Sequence, residues 1–299
     1  MVELKLSCIT DEFSDEFDEV CEYLQSKDME FVELRNVWMG NVIEIDDQMV
    51  GDSLDVLSDC GLKVSALATP LLKCLPPSVN PHPKHSSDYT ENWQYNFSKI
   101  DRAVELAEKY HCDYIRVFGF QGKWPIEEVE NWDTWQIYSE WKDTLQMMKQ
   151  KAATKGKTLI CENESGLCSS FEQMERLGKD NCDDQFGLLY DTANVANSYG
   201  QFGVLDEEWR GRLTKYIKYI HAKGCVMGPK GTYTSYVNDD GCFLRWPELV
   251  EHFRNTSPSI FIGKPPVPLF LSIETHMEKE GRWEKSTKSL ENLRKLINP

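Results

Sequence analysis

Three short runs decide the fold: Thr158-Leu159-Ile160-Cys161-Glu162-Asn163-Glu164, Phe186-Gly187-Leu188-Leu189-Tyr190-Asp191-Thr192, and Tyr219-Ile220-His221-Ala222-Lys223. Each is an apolar segment that carries an acid or an imidazole at or near its end. Strands buried on both faces read as near-continuous apolar runs, without the alternation of a half-exposed strand. Glu162 and Asp191 are 29 residues apart, and Asp191 and His221 are 30 apart. That spacing suits one strand plus one crossover helix.

The pattern continues outward in both directions. Leu4–Ile9, Phe31–Arg35, Lys63–Ala68, Tyr114–Phe118 and Leu269–Glu274 read as five further strands. Amphipathic helices lie between them. Phe17, Val20, Cys21 and Leu24 fall at helical spacing behind Ser14, the expected N-cap. Val50, Leu54 and Leu57 repeat the stripe, and Gly61 stops it. Trp141, Leu145, Met148 and Ala152 form another, and Leu290, Leu293 and Ile297 the last. Eight strand-then-helix units imply parallel strands with right-handed crossovers. The expected fold is α/β, a closed (β/α)8 TIM barrel forming one domain over residues 1–299. An open doubly wound sheet is the competing arrangement.

Composition agrees with one large globular domain. Of the 299 residues, 40% are apolar and 11% aromatic, enough for a sizeable core. A formal net charge of −16 repels phosphate backbones, so no nucleic-acid partner is expected. No apolar stretch approaches the roughly 18 residues of a membrane span, and the N-terminus turns acidic too early for a signal peptide. The ten cysteines contain no CxxC pair and read as reduced, mostly buried thiols of a cytoplasmic protein.

Four consecutive strands, the fifth to the eighth, end in reactive residues: Glu162, Asp191, His221 and Glu274. Singly, each has a plain explanation. The glutamates could be solvated loop residues, Asp191 a helix cap, and His221 a hydrogen-bonded core histidine. Together they need a cation or a network, because unpaired charge at buried strand ends is costly. Neighbouring strands lie about 4.8 Å apart, so the four side chains can converge on one ion. Three carboxylates and an imidazole suit Mn2+, with Mg2+, Co2+ or Zn2+ also compatible.

The order of several motifs resembles the xylose isomerase-like barrels, a family of sugar phosphate isomerases and epimerases. The resemblance is carried by Ser65-Ala66-Leu67-Ala68-Thr69-Pro70, Ile115-Arg116-Val117-Phe118, Cys161-Glu162-Asn163-Glu164, Tyr190-Asp191-Thr192-Ala193-Asn194, Ile220-His221-Ala222-Lys223 and Ile273-Glu274-Thr275. It implies that Glu162, Asp191, His221 and Glu274 hold a divalent metal. Glu162 and Glu274 would also be the acid/base pair of an isomerase or epimerase acting next to a carbonyl through an enediolate. Glu162 is preferred to Glu164 because it directly follows the apolar run.

Basic residues gather at strand ends: Arg35, Lys73, Arg116 and Lys223. They are candidate contacts to a small sugar-derived substrate, along with Asn194 and Trp38. Arg116 and Lys223 could instead neutralise the ligand carboxylates, and Glu33 could pair with any of the four cations. Trp93 and Trp124 also lie near the expected mouth, His276 just past Glu274, and His82 and His85 in the loop after the third strand. Two long segments, Leu71–Tyr89 and Gly224–Phe243, leave the C-terminal ends of strands and are candidate walls of a site.

Three rivals remain. A dehydratase of a cyclic polyol or keto acid needs the same centre. An endonuclease IV-like enzyme needs histidines where this chain has Arg35 and Thr69-Pro70. A ligand-binding barrel without catalysis has no need of the four metal-type residues. Barrels of this kind often pair, which makes a homodimer the natural oligomer to look for.

Overall fold

The computed structural model describes residues 2–80, 92–121, 136–164, 166–199, 203–256, 267–276 and 281–298. Eight strands form one parallel sheet: β1 (Leu4–Cys8), β2 (Phe31–Leu34), β3 (Lys63–Leu71), β4 (Tyr114–Val117), β5 (Thr158–Glu162), β6 (Phe186–Asp191), β7 (Ile217–Ala222) and β8 (Leu269–Ile273). The sheet runs β1-β8-β7-β6-β5-β4-β3-β2, and a parallel bridge between Ile9 and Glu33 joins its two ends. This is the expected barrel. The open-sheet alternative fails because the first and last strands of the ladder meet.

Two strands match their expected bounds residue for residue, β5 and β6. β3 runs on to Leu71, and β7 begins two residues early at Ile217. Lys218 disguised the start of β7: its stem lies along Gly187, and its ammonium bonds the Asp184 carbonyl at 3.0 Å. A side chain on Gly187 would meet that stem at 2.5 Å.

The helical stripes pack where their spacing put them. Phe17, Val20, Cys21 and Leu24 are buried on helix Phe17–Ser26, as are Trp141, Leu145, Met148 and Ala152 on helix Gln136–Ala153. Ser14 is not the N-cap. Glu16 takes that position, and the Ser14 hydroxyl accepts the Glu16 N–H at 3.2 Å instead. The main core lies between the helices and the outer face of the barrel. A second, smaller core fills the barrel axis with Ala66, Tyr114, Ile160, Leu189, Tyr219 and Phe270.

Two hairpins stand at the C-terminal ends of strands. Asn36–Val37 pairs with Gly40–Asn41 after β2, and Gly224–Gly228 pairs with Gly231–Ser235 after β7. The second lies in the expected glycine-rich wall. No described helix is long and apolar enough to cross a membrane.

Candidate metal centre

β5, β6 and β7 deliver Glu162, Asp191 and His221 to one level, with Asp191 and His221 in direct register. Glu274 follows the last residue of β8. One donor atom from each of the four lies within 4.8 Å of the others, and all four residues are buried. His221 Nδ1 is 2.8 Å from Glu274 Oε2, 3.4 Å from Glu162 Oε1 and 4.0 Å from Asp191 Oδ2.

Each side chain is held by its other atom. Arg116 donates to Glu162 Oε2 at 2.9 Å. Arg35 donates to Glu274 Oε1 at 2.9 Å, and His276 Nε2 lies 2.6 Å from the same oxygen. Asp191 Oδ1 accepts the Ala193 and Asn194 N–H groups at 2.9 and 3.0 Å, at the start of helix Asn194–Tyr199. The helix-cap reading of Asp191 is therefore true of one oxygen only. Thr192 ties β6 to β7 through the carbonyls of His221 and Lys223.

Three atoms aimed into the centre have no hydrogen bond: Asp191 Oδ2, Glu274 Oε2 and His221 Nδ1. Lys223 Nζ comes within 2.6 Å of Asp191 Oδ2 and 3.0 Å of Glu274 Oε2, an ionic contact without hydrogen-bond alignment. Buried polar atoms left in this way are rare and destabilising. Around them, Asp11, Glu12, Glu33, Glu162, Asp191 and Glu274 are buried. Five of these six carboxylates lie against three permanent cations, Arg35, Arg116 and Lys223, and the sixth, Glu33, lies against His221. The orphaned donors and the surplus of negative charge fit a divalent cation, and the oxygen-rich donor set suits a hard one.

The electrostatics divide the acids. Burial pushes Glu162 up most strongly of any single cause, but the Arg116 guanidinium and His221 together outweigh it and bring the carboxyl down to about 2. Burial likewise opposes ionisation of Glu274, yet Lys223, His221 and His276 hold it well below the usual range. Asp191 goes the other way. Burial lifts it to about 6, with Glu274 and Glu162 adding to the rise and Lys223 opposing it. Burial favours neutral His221, but Glu33, Glu274 and Glu162 together raise its pKa well above the ordinary value.

The expected substrate contacts are placed unequally. Arg35 is clamped by Asp11 and Glu12 as well as Glu274. Arg116 and Lys223 are buried against the cluster carboxylates. Lys73 lies 2.8 Å from Glu164 Oε1, which leaves Glu164 out of the cluster. Asn194 Nδ2 reaches Glu162 Oε1 at 3.3 Å. Trp38 packs edge-on against Phe17 and donates to Asp18, so its described contacts lead away from the centre. Trp93 donates to the Asn80 carbonyl. Trp124, His82 and His85 lie outside the described residues.

Glu33 does not pair with the strand-end cations. Both its oxygens face His221 Nε2, at 3.0 and 3.1 Å. Asp11 and Glu12, one residue past the first apolar run, join the centre without a signal in the strand spacing. Glu12 Oε2 accepts the N–H groups of Thr275 and His276 and so holds the backbone that follows Glu274.

A search of curated protein sequences finds no match. Solved structures with the same fold include the probable 3-DHS dehydratase AsbF from Bacillus anthracis, with TM-score 0.66, 16% identity and coverage of 97% of this chain and 98% of that one. The 3-keto-D-glucoside 4-epimerase YcjR from E. coli matches with TM-score 0.64 and 12% identity over 99% and 100% of the two chains. The IolI protein with a bound zinc atom matches with TM-score 0.67 and 14% identity over 98% and 96%. At these identities the likeness is one of fold. The model of the xylose isomerase-like TIM barrel family matches residues 21–293, nearly the whole chain, and the protein belongs to that family.

Proposed function

We propose that this protein is a divalent-metal-dependent isomerase or epimerase of a small sugar, sugar phosphate or polyol. The observation that carries the reading is the arrangement of Glu162 and Glu274. Each has one oxygen fixed by an arginine and the other turned toward a shared centre. Glu162, Asp191, His221 and Glu274 would hold the ion, Mn2+ first among the candidates. When bound, the ion supplies Lewis-acid polarisation of a substrate carbonyl.

The acid–base work falls to the two glutamates. One carboxylate takes a proton from the carbon beside the carbonyl, and the other returns one to the opposite face or the next carbon. Arg116 orients Glu162 and Arg35 orients Glu274, and the glutamate that returns a proton first takes it up from solvent. Asn194, Lys223 and Lys73 stand nearest to the substrate hydroxyls in this reading. The ten free cysteines fit a cytoplasmic setting.

A second reading has one specific support: the fold is shared with a probable 3-DHS dehydratase as well as with a sugar epimerase. The same base would then remove the proton and hand it to the departing β-hydroxyl, which leaves as water.

One experiment separates the two. Ketoses, sugar phosphates and inososes are incubated with the protein and Mn2+ in D2O and followed by NMR. Isomer interconversion with deuterium entering next to the carbonyl is expected, and EDTA should abolish it. Loss of water with a new double bond would replace the isomerase reading by the dehydratase. Turnover that persists in EDTA would remove the metal from both.

A further inference from the structure

We infer that Glu33 is the positioning residue of the centre: it fixes His221 with Nε2–H pointed down the barrel and Nδ1 turned toward the ion site among the ligand oxygens. The inference rests on the metal reading above and extends it one layer deeper.

Glu33 stands on β2 where the register with β3 shifts, a bulge that leaves Ser65 unpaired between Val64 and Ala66. Bulges re-aim side chains, and here both Glu33 and Ser65 are buried. Among the described residues no lysine or arginine lies within ion-pair reach of Glu33; its one ionic partner is His221. Its second support is the Tyr219 hydroxyl, which donates to Oε2 at 3.2 Å. Tyr219 is held in turn by Ser65 at 2.8 Å, and Ser65 by Ser7 at 2.7 Å. A buried carboxylate so supported can only accept, so His221 Nε2 must be the donor. Nδ1 is left facing Glu162, Asp191 and Glu274, and gives its lone pair to an ion once its own proton has been displaced. Carboxylate partners of this kind typically change metal affinity about 10–100-fold when removed.

The test uses the full chain with Mn2+ as the calorimetric probe and Zn2+ for NMR. Glu33→Gln keeps an acceptor without the charge and should raise the Mn2+ dissociation constant about tenfold, and Glu33→Ala about 100-fold. At saturating Mn2+ most of kcat should return while KM changes little. In zinc-loaded, 15N-histidine-labelled protein, the His221 Nε2–H signal should move upfield and exchange faster in Glu33→Gln. Should Glu33→Ala fail to fold, Glu33→Gln carries the test alone. Variants that bind Mn2+ within about twofold of wild type, with an unmoved His221 signal, would overturn the assignment. Wild-type protein that binds neither Mn2+ nor Zn2+ would remove the metal reading itself and the inference with it, a result distinct from the first.

Discussion

Low in the barrel the axis is closed by rings. Phe31 meets Phe270 at 5.0 Å between centroids, Tyr219 meets Phe270 at 5.7 Å, and Tyr114 meets Tyr219 at 5.8 Å. One layer higher the same axis holds Glu33, Glu162, Asp191, His221 and Glu274, buried at least as deeply as most of the rings. The lower layer gains stability from apolar area and close packing. The upper layer spends it, because like charges are brought together out of water. Tyr219 belongs to both, with its ring in one and its hydroxyl in the other. The contrast shows that burial alone does not tell a core from a site. What distinguishes them is whether the inward atoms are satisfied.

Four measurements can break or sharpen this contrast. The largest effect is expected at the upper layer. Glu162→Gln and Glu274→Gln should each lower kcat by about 10²–10⁴-fold while the melting temperature of metal-free protein holds or rises. Near-normal turnover in either variant would show that residue to be misassigned. Phe270→Ala should do the reverse, with a loss of about 3–5 kcal/mol of stability and an unchanged Mn2+ dissociation constant. A weakened ion site in that variant would show the two layers to be one unit.

The third measurement is pH. Asp191 is raised to about 6 in the folded protein, above its ordinary value of 3.8. Its share of metal-free stability is therefore greatest at low pH and is lost as pH rises through about 6. Metal affinity has the opposite sign, since a proton on Asp191 competes with the ion. Mn2+ binding should weaken by about tenfold per pH unit below 6 for one proton exchanged. A flat profile from pH 7 to 5 would contradict the placement of Asp191. The smallest effect is expected at Lys73, about a third exposed at its side chain and paired with Glu164. Lys73→Ala should cost less than about 1 kcal/mol. A larger loss would mean that the charged layer extends further out than the described cluster.

The sequence shows the frame more clearly than the network. Apolar runs mark every strand to within a few residues because a strand buried on both faces must be apolar along its length. The four cluster residues were legible for the same reason in reverse, as polar endings that such runs do not otherwise have. Glu33 was harder. It lies inside a run, beside the register shift at Ser65 of β3, and its partner His221 is far away in sequence. Glu12 and Asp11 were missed because their partners, Thr275, His276 and Arg35, are distant in sequence. Ser14 was misjudged because a hydroxyl two residues ahead of a helix can bond the capping residue itself.

The junction between β1 and β2 gives the charged mouth a further duty. The ladder there is the bridge from Ile9 to Glu33. Just above it, Asp11 takes the Arg35 guanidinium, the Asn36 side chain and the Asn36 N–H, and Glu12 takes Arg35 again. The ring of strands is thus fastened at its seam by a clasp of ionic and polar contacts. Arg35 is a link in that clasp and also grips Glu274. Selection acting on the chemistry through Arg35 would act on the integrity of the hoop as well, so this position has little room to drift.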